Sequence, residues 1–497
     1  MFKKSIVKKH LKNVMLFFSI GLMFFLVWQI WFGSYFLPGG YDYITTSFRT
    51  HIMNPIQQWF TKESKEGFSQ NMKVLFKPEK IILNHSGQRV VFQSGHKDYE
   101  EMRSLSNEFI SNVLLEKYTI KSKVSISVET YHSLLKGKTI YVDYGKECDF
   151  RLFSLAVCDQ SSSVLTEDLS VINGYIIGLH DSVMNDVSLY ITDKKSNNIY
   201  RYVIETEKST LDEQLKEFLE ESAGGSIPSY SFELNFHKEQ ENSASKVLFE
   251  PLVLLDLTTV EVPTIQLAGT EEENREKFDE LTDAVLEVFS VNSRTMRRYT
   301  DLENARVFVE NNATLTLYPN GILEYQAVQG SHGLDISNST DRTNYDVHKA
   351  TADAVDFVTE LCNHMPNSYF KHLQISTSLV NHTDKHNSFK LSFDYCIDGI
   401  PVRQQTENGY CPVIEMEVRE GYLTSYRHNL KVYEKRENEI WQLPPVISAA
   451  DKLVNALYDG TNALRIEKVA VCYTVDKEGN IAPTWNGIVD GKERLFE

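Results

Sequence analysis

Between Asn13 and Tyr41 the chain has no Asp, Glu, Lys, Arg or His, and just before that gap stand Lys3, Lys4, Lys8, Lys9 and Lys12. No other feature narrows the available folds as far. Val14 to Trp31 is almost wholly apolar, and Trp28, Trp31, Tyr35 and Tyr41 crowd its far end. The pattern predicts one transmembrane helix over residues 14–36, with a basic cytoplasmic foot at 1–13 and an aromatic belt at the outer interface. The Leu, Ile, Phe and Val residues between Val14 and Trp31 together favour insertion by on the order of 3–7 kcal/mol. That is enough to carry Ser19, Gly21 and Gln29. A cleaved leader fits less well, because the apolar core is long and Phe32-Gly33-Ser34-Tyr35-Phe36 offers no small-x-small cleavage site. The first cysteine is Cys148, so none closes the run for a lipid. The rest of the chain is expected outside the cytoplasm, beyond a stalk at 37–72.

The remaining roughly 450 residues exceed one ordinary hydrophobic core and predict two or three domains. Net charge is −17, with 68 acidic against 51 basic residues, and five of the lysines belong to the foot. So acidic a body repels nucleic acid and anionic wall polymers. Six cysteines (Cys148, Cys158, Cys362, Cys396, Cys411 and Cys472) show no C-x-x-C and no zinc-ligand spacing. Cys396 and Cys411 are the pair most readily imagined as a disulfide, on adjacent strands. Buried free thiols are the favoured reading, since no spacing selects a connectivity.

Periodicity predicts an N-terminal α+β region over 73–269. It opens with short strand-like runs in Lys73–Asn84, split by Pro78, followed by Arg89–Gln93. A helix over Tyr99–Leu115 carries Met102, Leu105, Phe109 and Val113 on one face. Strands are expected at Val124–Val128, Lys138–Tyr144, Gly174–Leu179, Val187–Thr192 and Ile199–Ile204, then a polar helix at Leu211–Glu221. A C-terminal α+β region over 270–497 follows, with a helix stripe of Phe278, Leu281, Val285 and Val288. Strands are expected at Arg306–Val309, Thr314–Leu317 and Ile322–Val328, and a helix capped by Asp346. Hairpins turn at Asp398-Gly399 and Glu420-Gly421, Ser448 caps a short helix, and strands at Glu467–Val475 and Thr484–Val489 end the chain. The alternation of helix and meander hints at two similar modules, 270–345 and 346–497. The fold class is thus α+β: a single N-terminal transmembrane helix, then a multi-domain ectodomain of mainly antiparallel sheets with packed helices.

Catalytic patterns are scarce. Gly330-Ser331-His332-Gly333 is not G-x-S-x-G, and His382-Thr383-Asp384-Lys385-His386 places a lysine within its own cluster and reads as a solvated turn. Asn84-His85-Ser86 and Asn312-Ala313-Thr314 match a sequon that chance readily supplies. No P-loop, dinucleotide fingerprint, metal motif or cofactor motif stands out, so no catalytic, metal or cofactor residues are assigned. The odds shift from an enzyme toward a binding or regulatory body.

Several segments, in order along the chain, resemble the YycH (WalH) family. They are Val27-Trp28-Gln29-Ile30-Trp31 with Pro38 and Tyr41, Lys73-Val-Leu-Phe-Lys-Pro-Glu-Lys-Ile-Ile82, Val288-Phe-Ser-Val-Asn-Ser-Arg-Thr-Met-Arg297, and Leu317-Tyr-Pro-Asn-Gly-Ile-Leu-Glu-Tyr325. Asp398-Gly-Ile-Pro-Val402, the Val413–Tyr426 hairpin, Val471-Cys-Tyr473, Ala482-Pro-Thr-Trp485 and Asp490-Gly-Lys492 look like the module shared by YycH and YycI. The resemblance implies a non-enzymatic, single-pass accessory subunit of a WalK/YycG-type sensor histidine kinase that governs cell-wall metabolism in low-GC Gram-positive bacteria. The implied partners are that kinase, a YycI-like protein and the membrane, with no nucleic acid. Ser19, Gly21 and Gln29 are then the positions through which the helix packs on kinase helices, unless they only face lipid. The alternative is a membrane-anchored extracytoplasmic envelope enzyme or cell-wall polymer-binding protein.

Overall fold

The computed structural model describes residues 70–496 apart from 86, 180–185, most of 207–227, 237–246, 257, 270–280, 292–295, 303, 338–344, 366–368, 381–386, 407–408 and 458–463. The chain divides into two units, Met1–Glu66 and Gly67–Glu497. The expected foot and membrane helix lie outside the described residues, as does the polar helix at 211–221 for the most part. Among the described residues no helix is long and apolar enough to cross a membrane.

The second unit is α+β, and nearly all its strand pairs are antiparallel. Its first sheet holds β1 (Lys80–His85), β2 (Gln88–Phe92), β3 (Thr119–Ile126), β4 (Thr139–Asp149), β5 (Val171–Gly178), β6 (Asp186–Asp193) and β7 (Asn198–Glu205). Their order is β2-β1-β4-β5-β6-β7-β3. Successive side chains of a strand point to opposite faces, and this sheet buries both. Ile81, Leu83, Ile140, Val142, Tyr175 and Ile177 join one core with helices α1 (Tyr99–Leu114) and α3 (Phe150–Cys158). Ile82, Tyr141, Ile176, Tyr190 and Ile199 face the other way, onto Tyr131 of helix α2 (Val128–Leu134) and onto Tyr230 and Phe232. The near-continuous apolar runs of β4 and β5 follow from this two-sided burial.

Two further two-stranded sheets pair β8 (Ser229–Tyr230) with β10 (Leu254–Leu255), and β11 (Val260–Leu267) with β23 (Tyr433–Leu443). The second sheet has 15 strands. In chain order these are β9 (Val247–Phe249), β12 (Arg297–Thr300), β13 (Arg306–Val309), β14 (Ala313–Leu317), β15 (Ile322–Ala327), β16 (Leu334–Asp335), β17 (Leu373–Ile375) and β18 (Ser388–Ile397). They continue with β19 (Ile400–Thr406), β20 (Gly409–Cys411), β21 (Ile414–Arg419), β22 (Tyr422–Asn429), β24 (Leu464–Val475), β25 (Ile481–Val489) and β26 (Lys492–Phe496). The main path runs β12-β13-β14-β15-β22-β21-β18-β19-β24-β25-β26, with β19–β24 and β9–β24 parallel. Asp398-Gly399 and Glu420-Gly421 turn the hairpins as expected. Both residues of each turn have positive φ, the geometry whose twist matches the flanking strands.

Helix α4 (Val347–Cys362) starts where Asp346 accepts from the Lys349 N–H at 3.1 Å, and it buries Ala350, Ala354, Phe357, Val358 and Leu361 on this sheet. Phe357 meets Phe289 edge-on at 5.2 Å and Tyr426 at 5.4 Å. Beside them His428 is wholly buried between two phenols, 2.8 Å from Tyr369 Oη and 2.9 Å from Tyr426 Oη. Tyr369 Oη also donates to the Asn429 carbonyl at 3.1 Å, so it accepts from His428 Nε2–H, and Tyr426 donates to Nδ1.

Four sequence expectations need correction. Lys73-Val74-Leu75 is helical rather than extended, within a helix at 70–75, and only Lys80–His85 forms the first strand. Ser448 lies inside helix α5 (Val446–Leu457), which starts directly after Pro444-Pro445, a stop that outranks a serine two residues on. The segments 270–345 and 346–497 do not build separate sheets, because β15 pairs with β22. Strands β23 and β26 were not expected, since nine exposed and mostly polar residues in a row mask the period of β23.

Burial holds the His428 imidazole neutral, with its pKa lowered from 6.5 to about 3. The unfolded chain therefore binds the extra proton between those values, and stability should fall as pH drops from 6.5 toward 3, by about 1.4 kcal/mol per unit. Urea unfolding of a His428→Phe variant should show a loss of about 1–3 kcal/mol at pH 7 and a flatter acid limb. An unchanged acid limb would assign the sensitivity to other groups.

Candidate functional site

The functional interest of the described residues centres on a charged seam where the first sheet meets the second. It is built by an irregularity in β4. Register slips between Asp143 and Cys148, so Tyr144, Gly145, Lys146 and Glu147 bulge out of the pairing with β5. Gly145 has φ +65°, and a Cβ there would lie 1.9 Å from Glu79 Oε2, so only glycine fits. Lys468 arrives from a second bulge, in β24. Its ammonium is bonded to the Glu79 carboxylate and lies 3.4 Å from the Gly145 carbonyl.

Lys146 is buried, donates to the Ile375 carbonyl and lies 5.3 Å from the ring centre of Phe76, which stacks on Tyr144. Behind it, Asp394 of β18 pairs with Arg403 of β19 at 3.0 Å, and Arg403 reaches Glu493 at 3.6 Å. On the other flank Asp149 does double duty. It caps α3 by accepting from the Arg151 N–H at 2.9 Å, and it meets His348 of α4 at 3.0 Å. Backbone bonds close the seam: Asp149 N–H to the Leu379 carbonyl at 2.7 Å and Leu379 N–H to the Glu147 carbonyl at 2.8 Å.

Protonation follows from the neighbours. Burial alone would raise the Glu79 carboxyl, but the Lys468 and Lys80 ammoniums outweigh it and hold its pKa below the ordinary value. Lys468 is correspondingly held above its ordinary value, because Glu79 overcomes its desolvation. Lys146 goes the other way: burial, with Lys468 adding to it, lowers its pKa to about 8. Burial raises Asp394 in spite of Arg403.

A lysine shifted this far can mark a reactive site. Here the ammonium is enclosed by a carbonyl and an aromatic face. A cavity on the same side, lined by Val347, Thr351, Leu379, Phe389 and Leu391, offers about 10 Å³, room for about one water. A small-molecule site takes about 300–1,000 Å³. Among the described residues no group of three or more His, Cys, Asp or Glu side chains could hold a metal. The seam ties the two sheets together through Glu79 and Lys468.

The residues singled out from sequence fall elsewhere. Ser19, Gly21 and Gln29 lie outside the described residues, as does His382–His386. Cys396 and Cys411, the pair most readily imagined as a disulfide, are free thiols. Cys396 pairs across to Pro401 and Cys411 to Gln404, three positions apart on β19. That offset is about 10 Å at 3.3 Å per residue, beyond the reach of a disulfide. Burial pushes both thiols up, together with those of Cys148, Cys362 and Cys472, so they are protonated and unreactive. Ser331 donates to the Asn312 carbonyl at 2.9 Å within a turn. Asn84 is buried against Thr139 and Arg89, closed to modification. Sequence reasoning passed over Glu79, Lys146, Asp394, Arg403 and Lys468. The available signal was a charge inside an apolar strand, as in Lys146 within Thr139–Asp149 and Asp394 within Ser388–Ile397.

Replacing Lys146 by Met should stabilise the fold. The folded pKa of about 8 lies below the ordinary 10.5, so the unfolded chain holds more protons between those values and native stability rises with pH across that window. At pH 7 the full cost of burying the charge is present, up to about 3 kcal/mol. Thermal melts of Lys146→Met should therefore show a gain at pH 7 that shrinks above pH 8. A variant less stable at pH 7 would mean that the Lys146 contacts outweigh its desolvation.

No family model matches the sequence, and neither does any curated protein. The structure is similar to the crystal structure of YycH from Bacillus subtilis, with a TM-score of 0.55 and 12% identity, over 85% of this chain and 96% of that one. At that identity the likeness is one of backbone architecture. The chain has a YycH-like fold.

Proposed function

We propose that this chain is a membrane-anchored extracytoplasmic regulator of a WalK/YycG-type sensor histidine kinase. The observation that carries the reading is the YycH-like fold over 85% of the chain. The ordered sequence resemblance and the single N-terminal apolar span agree with it. The helix at 14–36 would hold the protein beside the kinase and pack on it through Ser19, Gly21 and Gln29. The body would bias one of two kinase states by contacting them unequally, with a YycI-like protein as a further partner. To move a kinase from 1:99 to 99:1 the body must favour one state by about 5.5 kcal/mol. Such a difference is delivered more readily by a stiff body, and the Glu79–Lys468 pair that ties the two sheets together supports that reading.

The test has two stages. The tagged full-length protein should co-purify with the kinase from detergent extracts, and external protease should degrade its body in intact protoplasts. Exchanging residues 14–31 for an unrelated apolar helix should then preserve display but reduce kinase recovery several-fold and alter wall-metabolism transcripts. Failure of the kinase to co-purify with the native protein would overturn the regulatory reading. An exchanged helix that regulates as well as the original would confine the activity to the ectodomain.

A further inference from the structure

We propose that the outer edge of β12 is a docking strand for an extended acidic segment of a partner protein. Among the described residues β12 ends the path of the 15-stranded sheet and pairs only with β13, which leaves one row of its backbone N–H and C=O groups without a strand partner there. All four of its residues are exposed, and Tyr299 is 55% exposed. Arg297 and Arg298 are adjacent, so they project to opposite faces of the sheet and would straddle a strand added at the edge.

Charge selects the occupant. In a chain with 68 acidic and 51 basic residues, Arg89, Arg103, Arg403, Arg427 and Arg465 each face a carboxylate. Among the described residues Arg297 and Arg298 face none; Arg151, Arg201 and Arg494 face none either, but each of those is the single arginine of its element. Edge strands are commonly protected by charge alone, with lysine the usual choice. Here the residues are two arginines and a half-exposed tyrosine, the types enriched where proteins bind one another. The inner neighbour is anchored, since Phe308 and Val307 of β13 are buried, so the edge is held in shape before a partner arrives. An acidic strand would gain main-chain hydrogen bonds from the edge and charge-assisted bonds from both guanidiniums. The −17 body would repel such a segment elsewhere.

The test uses the full chain in nanodiscs of zwitterionic lipid and a fluorescent peptide alternating Glu and Val, with its Lys/Val counterpart as control. The acidic peptide should bind at least tenfold more tightly than the basic one, weaken with added salt, and slow amide exchange across Arg297–Thr300. The double variant Arg297→Glu/Arg298→Glu, exposed and so expected to melt as the native protein does, should lose at least tenfold of that affinity. Tyr299→Pro, which removes a backbone donor but keeps both arginines, should weaken binding if the donor faces the added strand; exchange protection in the native protein identifies which amides do. Equal binding of the two peptides, or acidic-peptide binding untouched by the double variant, would overturn the proposal. So would binding to phosphatidylglycerol vesicles that the double variant abolishes while neither peptide binds, because the edge would then be a lipid contact.

Discussion

The ion pair between Glu79 and Lys468 ties the start of the first sheet to one of the longest strands of the second, across 389 residues of chain. Much else depends on its geometry. The bulge in β4 makes room for it, and Gly145 is the only residue that lets the Glu79 carboxylate come so close. The same bulge carries Lys146 inward and sets Cys148 and Asp149 against Leu379 and His348. An exposed pair contributes about 0–1 kcal/mol, whereas breaking a buried one costs about 3–5 kcal/mol. Glu79 and Lys468 are partly buried and lie between these limits, but their main effect is on orientation. A charge drawn from water accepts few alternative partners, so the two sheets have one favoured register.

Around the seam, burial does most of the stabilising. The first sheet is covered on both faces, and the second wraps α4 and the Phe289–Phe357–Tyr426 cluster. Tyrosines are prominent in both cores. Tyr99 donates to the Pro78 carbonyl at 2.7 Å, Tyr345 to Asp353 at 2.8 Å, and Tyr473 to the Pro263 carbonyl at 2.6 Å. Each such bond contributes only about 0.5–1.5 kcal/mol, but a buried hydroxyl without one costs more. These phenols therefore select one packing among many of similar hydrophobic area, as His428 does between its two tyrosines.

The shifted lysine is enclosed, five of the thiols are held protonated, and the cavity beside the seam admits about one water. Among the described residues β12 has one strand neighbour, β13, and Ile440 and Trp441 of the long strand β23 are open to solvent.

Much of the architecture was legible in the sequence because it rests on short-range physics. Short apolar or alternating runs bounded by turn residues located β5, β6, β7, β18 and β22, the helical period located α1 and α4, and Asp346, Asp398-Gly399 and Glu420-Gly421 announced a cap and two turns. The α+β class could be read at that level, whereas the YycH-like fold came from the resemblance of ordered segments to that family. The expected span at 14–36 rests on composition and length alone and lies outside the described residues. Other features required the folded chain. Strand β23 is masked by its charges and exists because β11 lies beside it. The separation of Cys396 from Cys411 depends on how both strands register with β19. The seam joins residues 79, 146, 394, 403 and 468, and no local pattern links them. Local sequence sets dihedral preference and the period of apolar residues; which distant charges meet is decided only when two sheets pack and water leaves the space between them.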